Sequence, residues 1–287
     1  MHIQNISEKY IQSLAALTPR CLHRAKNLDV TSPDENEYGI KYIAVVSPTR
    51  LLVTDYTNHK LRLVDSQNGG VVSHVSLTGT PWGVCLTGDG RAAVTLPNEK
   101  RIQFVRVDGD TLSLDKSITV KGSVWGIVSS NNHLIISYHD PGRVERITME
   151  GRVTHELNNK TARRKLFKTP RFITTLHGDH IYISDNGTNT IAQLDHNLQV
   201  LQTFTSHMMK GPAGIVCVSN NQVIVAGMNS RNILLLDTTT GTMTTLLGQT
   251  EGINYPYAVG WCTDSQKLYV GLGGVIKSLN VYTRTCT

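Results

Sequence analysis

One short phrase recurs about six times along this chain and limits what it can become. Each copy has a small-residue or proline step, a buried-type triplet, a tight turn and a second apolar run. The anchors of the triplets are Ile43, Val84, Ile127, Ile173, Ile215 and Val259, at separations of 41, 43, 46, 42 and 44 residues. A fixed period of this size marks an array of supersecondary units, each unable to bury its own apolar face alone. The 287 residues are therefore read as one repeat domain and not as two ordinary ones.

Superposed, the copies share an order of elements. Trp82-Gly83-Val84-Cys85-Leu86 has counterparts at Trp125-Gly126-Ile127, Arg171-Phe172-Ile173, Ala213-Gly214-Ile215, Tyr257-Ala258-Val259 and Lys41-Tyr42-Ile43. Turn residues such as Gly88-Asp89-Gly90 or Asn220-Asn221 follow, then a β-branched run such as Ile181-Tyr182-Ile183-Ser184. A third strand (Leu61 to Asp65, Ile233 to Asp237) and in most units a fourth (Val71 to Val75) complete the pattern. Four antiparallel strands in about 43 residues make one blade of a β-propeller. The last unit, with strands expected at 258–260, 268–270 and 275–279, has no fourth strand before Thr287. The segment Ala25 to Val30 supplies a spare one, so we expect an all-β, six-bladed ring closed by an N-terminal strand. Residues 18–287 form this ring. Residues 1–17, where Ile3, Ile6, Tyr10 and Leu17 fall on heptad spacing, predict a short amphipathic helix. It is either a coiled-coil remnant for self-association or a helix packed on the ring.

Composition narrows the setting. The formal charge is +6 and the isoelectric point about 9.1, a weak lean towards anionic partners. No run reaches the ~18 apolar residues that span a bilayer, and Met1 to Leu17 lacks the features of a secretory signal. Five cysteines occur without a Cys-x-x-Cys pair, and Cys85, Cys217 and Cys262 lie inside first strands. Buried free thiols in a reducing, cytoplasmic setting are the expectation, with no membrane, metal or cofactor.

The turn after the second strand carries a finer pattern. Val53-Thr54-Asp55-Tyr56-Thr57-Asn58-His59-Lys60-Leu61 and Ile183-Ser184-Asp185-Asn186-Gly187-Thr188-Asn189-Thr190-Ile191 resemble the NHL repeat, in which Asp and Asn precede a basic residue and an aliphatic one. Blades 2 and 5 lose the Asp, at Leu96 and Gly227. Over residues 40–287 the chain resembles the C-terminal propeller of tripartite-motif (TRIM-NHL) proteins. The resemblance implies a recognition module that binds proteins or RNA, such as the substrate-reading part of a ubiquitin-ligase-type protein. The RING and B-box of that family have no Cys/His counterpart here. The Asp itself is expected to accept backbone N–H bonds in its turn.

The position two before each anchor belongs at the mouth of the central channel. It reads Lys41, Trp82, Trp125, Arg171, Ala213 and Tyr257. Aromatic faces and cations together stack bases or hold peptides and their acids; the two tryptophans can equally be wedges between blades. The second-to-third-strand turns add Tyr56, His59, Lys60, Arg101, Arg143 and Arg231, with Lys100, His139 and Asn189. A basic run at Lys160, Arg163, Arg164, Lys165 and Lys168 precedes the fourth blade. The inner strands offer no carboxylate set for the calcium ion of a lactonase or hydrolase propeller, no convergent histidines, and no Gly-x-Ser-x-Gly elbow or P-loop. We therefore expect no enzyme, but a module binding a protein or peptide at the channel mouth. Single-stranded or hairpin RNA is the alternative ligand, and a metal-dependent lactonase a remote one.

Overall fold

The computed structural model describes residues 17–18, 21–32, 35, 39–160, 166–176, 180–274 and 277–284. Its strands form six separate sheets of four antiparallel strands each, the six-bladed propeller that the period requires. The innermost strands are Ile40–Ser47, Val84–Leu86, Val124–Ser130, Pro170–Leu176, Pro212–Ser219 and Pro256–Cys262. The second strands, such as Arg50–Asp55 and Gln222–Gly227, are almost wholly buried because a neighbouring blade covers each face. Outermost strands such as Val71–Ser76 alternate towards solvent. The apolar cores lie between consecutive blades: Ile224, Ile233, Val259 and Leu268, from blades 5 and 6, belong to one such cluster.

The ring closes as expected. Leu22–Asp29 pairs antiparallel with Ser278–Arg284 and supplies the missing outer strand of blade 6. The strand begins three residues earlier than Ala25, and its register shifts between Arg24 and Lys26. The third strand of blade 6 also differs from the expected 275–279. It is Ser278–Arg284, because Gly273-Gly274 extends the turn (Gly274 has φ +94°) and burial runs from Leu279 to Tyr282. Residues 275 and 276 lie outside the described set, as do the expected helix up to residue 16, the basic residues at 163–165 and Cys286. Leu17 is buried on blade 5, where the Gln222 amide accepts from its N–H at 2.8 Å and donates to its carbonyl at 3.1 Å. No described helix is long and apolar enough to cross a membrane. Cys85, Cys217 and Cys262 are buried free thiols, and burial pushes the first two up to about 12.

The inner strands crowd one another near the axis. A Cβ on Gly83 would lie 2.5 Å from the Trp125 carbonyl, and one on Gly126 2.7 Å from that of Arg171. Where blades 1 and 4 carry aromatics at the equivalent position, Tyr42 and Phe172 stack at 5.3 Å. The Tyr42 hydroxyl donates to the Ile173 carbonyl at 2.7 Å, tying blade 1 to blade 4 across the ring.

Leu28 of the closing strand is 1% exposed and packs with Val30, Ile40 and Val281. Leu28→Ala should lower the unfolding free energy by about 2–5 kcal/mol in urea melts; a loss within error of zero contradicts closure by this strand.

Candidate functional site

The mouth is built from the second-strand ends inward. Asp55 accepts from the Gly39 N–H and the Asn58 N–H, both at 3.2 Å, and so joins the strand entering blade 1 to the turn leaving its second strand. Asp185 does the same in blade 4, accepting from the N–H groups of Lys168 (2.7 Å), Thr169 (3.0 Å), Gly187 (2.9 Å) and Thr188 (3.1 Å). Blade 5 lacks the Asp, and there the Ser230 hydroxyl accepts from the Lys210 N–H at 3.0 Å. In four of these turns one residue is left-handed: His59, Lys100, Asn189 and Arg231 have φ between 51° and 54°. The recurrent turns thus face the same end of the ring as the starts of the inner strands.

Each inner strand is set by the blade before it. The Thr54 hydroxyl donates to the Trp82 carbonyl at 2.7 Å, Thr95 to Trp125 at 2.7 Å, and Ser184 to Ala213 at 2.6 Å. The residues two before the anchors then converge on the axis. The rings of Trp82 and Trp125 meet edge to face at 4.2 Å, and Trp82 meets Tyr257 at 6.0 Å. The Lys41 Nζ stands 5.0 Å from the ring centre of Tyr257, 5.1 Å from Tyr56 and 5.4 Å from Trp82. The Arg171 Cζ lies 5.2 Å from Trp125 and 5.9 Å from Trp82. Two cations therefore share one indole. Among the described residues neither cation forms an ion pair.

Among the described residues, three donors at this point have no acceptor: Trp82 Nε1, Trp125 Nε1 and Arg171 Nε are buried and unpartnered. A buried donor left so costs about 1–3 kcal/mol. Burial first, and then the neighbouring Arg171, hold the Lys41 amine below its ordinary value. The same two causes lower His139, whose Nε2 lies 3.5 Å from Arg171 Nη2. Burial pushes the Tyr257 hydroxyl up to about 12, against the opposing pull of Arg171.

A pocket of about 360 Å³ adjoins the cluster, lined by Lys41, Met228, Tyr255, Tyr257, Gly273 and Gly274. Tyr56 and Tyr255 are 40% and 41% exposed beside it. Behind the Tyr42–Phe172 pair the channel continues as a separate cavity of about 400 Å³ whose walls mix aliphatic side chains such as Ile127 and Val216 with polar ones such as Ser129 and Thr174.

The remaining expected residues divide. Tyr56 joins the aromatic surround, and Arg231 stacks on and hydrogen-bonds Tyr255. His59 is exposed on its turn. Lys60 is held by Glu35 at 2.7 Å, and Arg101 by the Ser117 hydroxyl. Arg143 is not free for a ligand: it bonds Glu145 Oε1 at 2.9 Å and lies 3.5 Å from the ring centre of Tyr138, which takes the place of the turn Asp in blade 3 and donates its hydroxyl to Glu145. Sequence reasoning missed Met228, Tyr255 and the Gly273-Gly274 wall. Tyr255, two residues before Tyr257 and next to Pro256, was the one legible signal among them.

No protein-family model matches the chain, and no curated protein matches it by sequence. Solved structures do match in fold. A streptogramin B lyase is 14% identical with a TM-score of 0.67, over 93% of this chain and 88% of that one. A catalytically inactive virginiamycin B lyase from Staphylococcus aureus, solved with quinupristin, is 18% identical with a TM-score of 0.63, over 87% and 80%. The WD40 propeller domain of Doa1 is 11% identical with a TM-score of 0.62, over 93% and 98%. At such identities the likeness shows the β-propeller class. It also corrects the expectation that the chain is no enzyme, since lyases share this architecture.

The lowered His139 has a pH consequence. Its neutral form is favoured in the folded state, so its stabilising contribution is present above 6.5 and is lost as pH falls below that value. In NMR titrations His139 should titrate below 6.5, and Arg171→Met should move it back up; an unmoved value contradicts the contact.

Proposed function

We propose that the channel-mouth face recognises a protein or peptide partner that presents an acidic group at the axis. The observation that carries this is the convergence of Lys41 and Arg171 with three buried donors that have no acceptor among the described residues. An acceptor-rich anion supplies what the cluster lacks: charge for two cations and hydrogen bonds for two indole N–H groups. The exposed rings of Tyr56 and Tyr255 and the pocket beside Tyr257 give the partner apolar contact around that anchor. The resemblance to NHL blades supports the same face, since its turns form the rim.

RNA is the weaker ligand for this geometry. A nucleic-acid track needs several free cations along the backbone, and Lys60, Arg101 and Arg143 are engaged within the protein.

Selection from a displayed peptide library tests the proposal. The wild-type protein should enrich peptides with an acidic residue. The pair Lys41→Glu and Arg171→Glu, with an unchanged melting curve, should weaken the selected peptides at least tenfold. Peptides without acidic enrichment would overturn the proposal. So would tight binding of a random RNA pool whose log K falls by roughly 0.7 per phosphate contact with log salt.

A further inference from the structure

We propose that the acidic group read at the axis is a phosphate monoester on a side chain of the partner. It would be held between Lys41 and Arg171 and accept from the indole N–H groups of Trp82 and Trp125. The inference rests on the recognition site above and names its ligand chemistry.

Four donor groups would take up all of the roughly four lone-pair sites of a carboxylate, whereas a phosphate monoester accepts them with sites to spare. Trp82 Nε1, Trp125 Nε1 and Arg171 Nε are three separate unpartnered donors, and the Lys41 ammonium adds a fourth group. A carboxylate has two oxygens and one charge. A phosphate monoester has three terminal oxygens and a charge of about −1.5 to −2 at neutral pH. The charges fit in the same way. Lys41 and Arg171 lie 5.4 and 5.9 Å from one indole centre, with no ion pair for either among the described residues. Like charges so placed repel, and a single carboxylate offsets only one of them. A near-dianion offsets both, the arginine acting as a directional fork and the lysine as a point charge. Trp82 is only 6% exposed, so these bonds form in a setting where water competes poorly. The pocket of about 360 Å³, with Met228, Tyr255 and two glycines, is apolar enough for a residue next to the phosphorylated one. No acidic side chain lines it among the described residues.

The chain carries its own control. Of its three tryptophans, two are at the axis. The third, Trp261, is buried with Leu17, Leu22 and Leu268 in a core cluster apart from the mouth. The full chain, labelled with nitrogen-15, shows one indole N–H signal for each. Trp261→Phe identifies the third. O-phospho-L-tyrosine and O-phospho-L-serine are titrated in turn, with L-glutamate and an eight-residue oligouridylate as comparisons.

The expected result is that the signals of Trp82 and Trp125 move together and saturate with a phosphomonoester, at least tenfold more tightly than with glutamate. The Trp261 signal stays in place. Arg171→Met should remove the effect; Lys41→Gln, which keeps the length of the side chain, serves if the first variant does not fold. If glutamate matches the phosphomonoesters while charge reversal still abolishes peptide binding, the recognition site stands and the phosphate assignment falls. If no anion moves the two signals and selected peptides ignore the charge reversals, both fall. Movement with oligouridylate alone also overturns the assignment.

Discussion

Everything at the mouth of this ring depends on how tightly each inner strand presses on the next. A Cβ at Gly83, Gly126 or Gly214 would meet the following blade's carbonyl at 2.5–2.7 Å, so the approach is possible only with glycine there. At the same level Thr54, Thr95 and Ser184 donate their hydroxyls to carbonyls of the next blade. These contacts hold the backbones of Trp82, Trp125 and Ala213 at the axis. The side chains at that position are thus placed by neighbouring blades and not by flexible loops, which is what a preorganised site needs.

The same closeness explains why the channel has two unlike ends. Glycine in three blades and Ala258 in a fourth leave room that Tyr42 and Phe172 fill from opposite sides. Their stack separates the cationic, aromatic cluster at one end from the uncharged cavity at the other. The cluster keeps two cations without a carboxylate partner among the described residues. Elsewhere, buried cations such as Arg62 and Arg143 are paired with Asp55, Glu35 or Glu145. Lys41 and Arg171 instead face aromatic rings. Cation–π contacts of about 0.5–2 kcal/mol each hold them in place without neutralising them.

Much of this was legible in the sequence. The spacing of the anchors gave the number of blades, and a spare strand before blade 1 gave the closure. The axial position was visible as the one repeat column that refuses to stay constant. The partners of the rim cations were not visible. Glu145 binds Arg143 from two residues away along a strand, and Glu35 reaches Lys60 from the segment that enters blade 1. Such pairings depend on side-chain direction and register, which a repeat pattern does not carry. The orphaned indole donors were equally hidden, because the absence of an acceptor is a property of the assembled ring. The end of the last blade slipped because two consecutive glycines left its strand start unmarked.

The most direct test is a high-resolution crystal structure of the protein grown with phosphate-free and with acidic-peptide-containing solutions. The account predicts that Trp82 Nε1, Trp125 Nε1 and Arg171 Nε find their acceptors outside the chain, in water in the first crystal and in the peptide's acidic group in the second. A structure in which these donors bond to acceptors of the protein itself, with Lys41 or Arg171 paired to one of its own carboxylates, would contradict it.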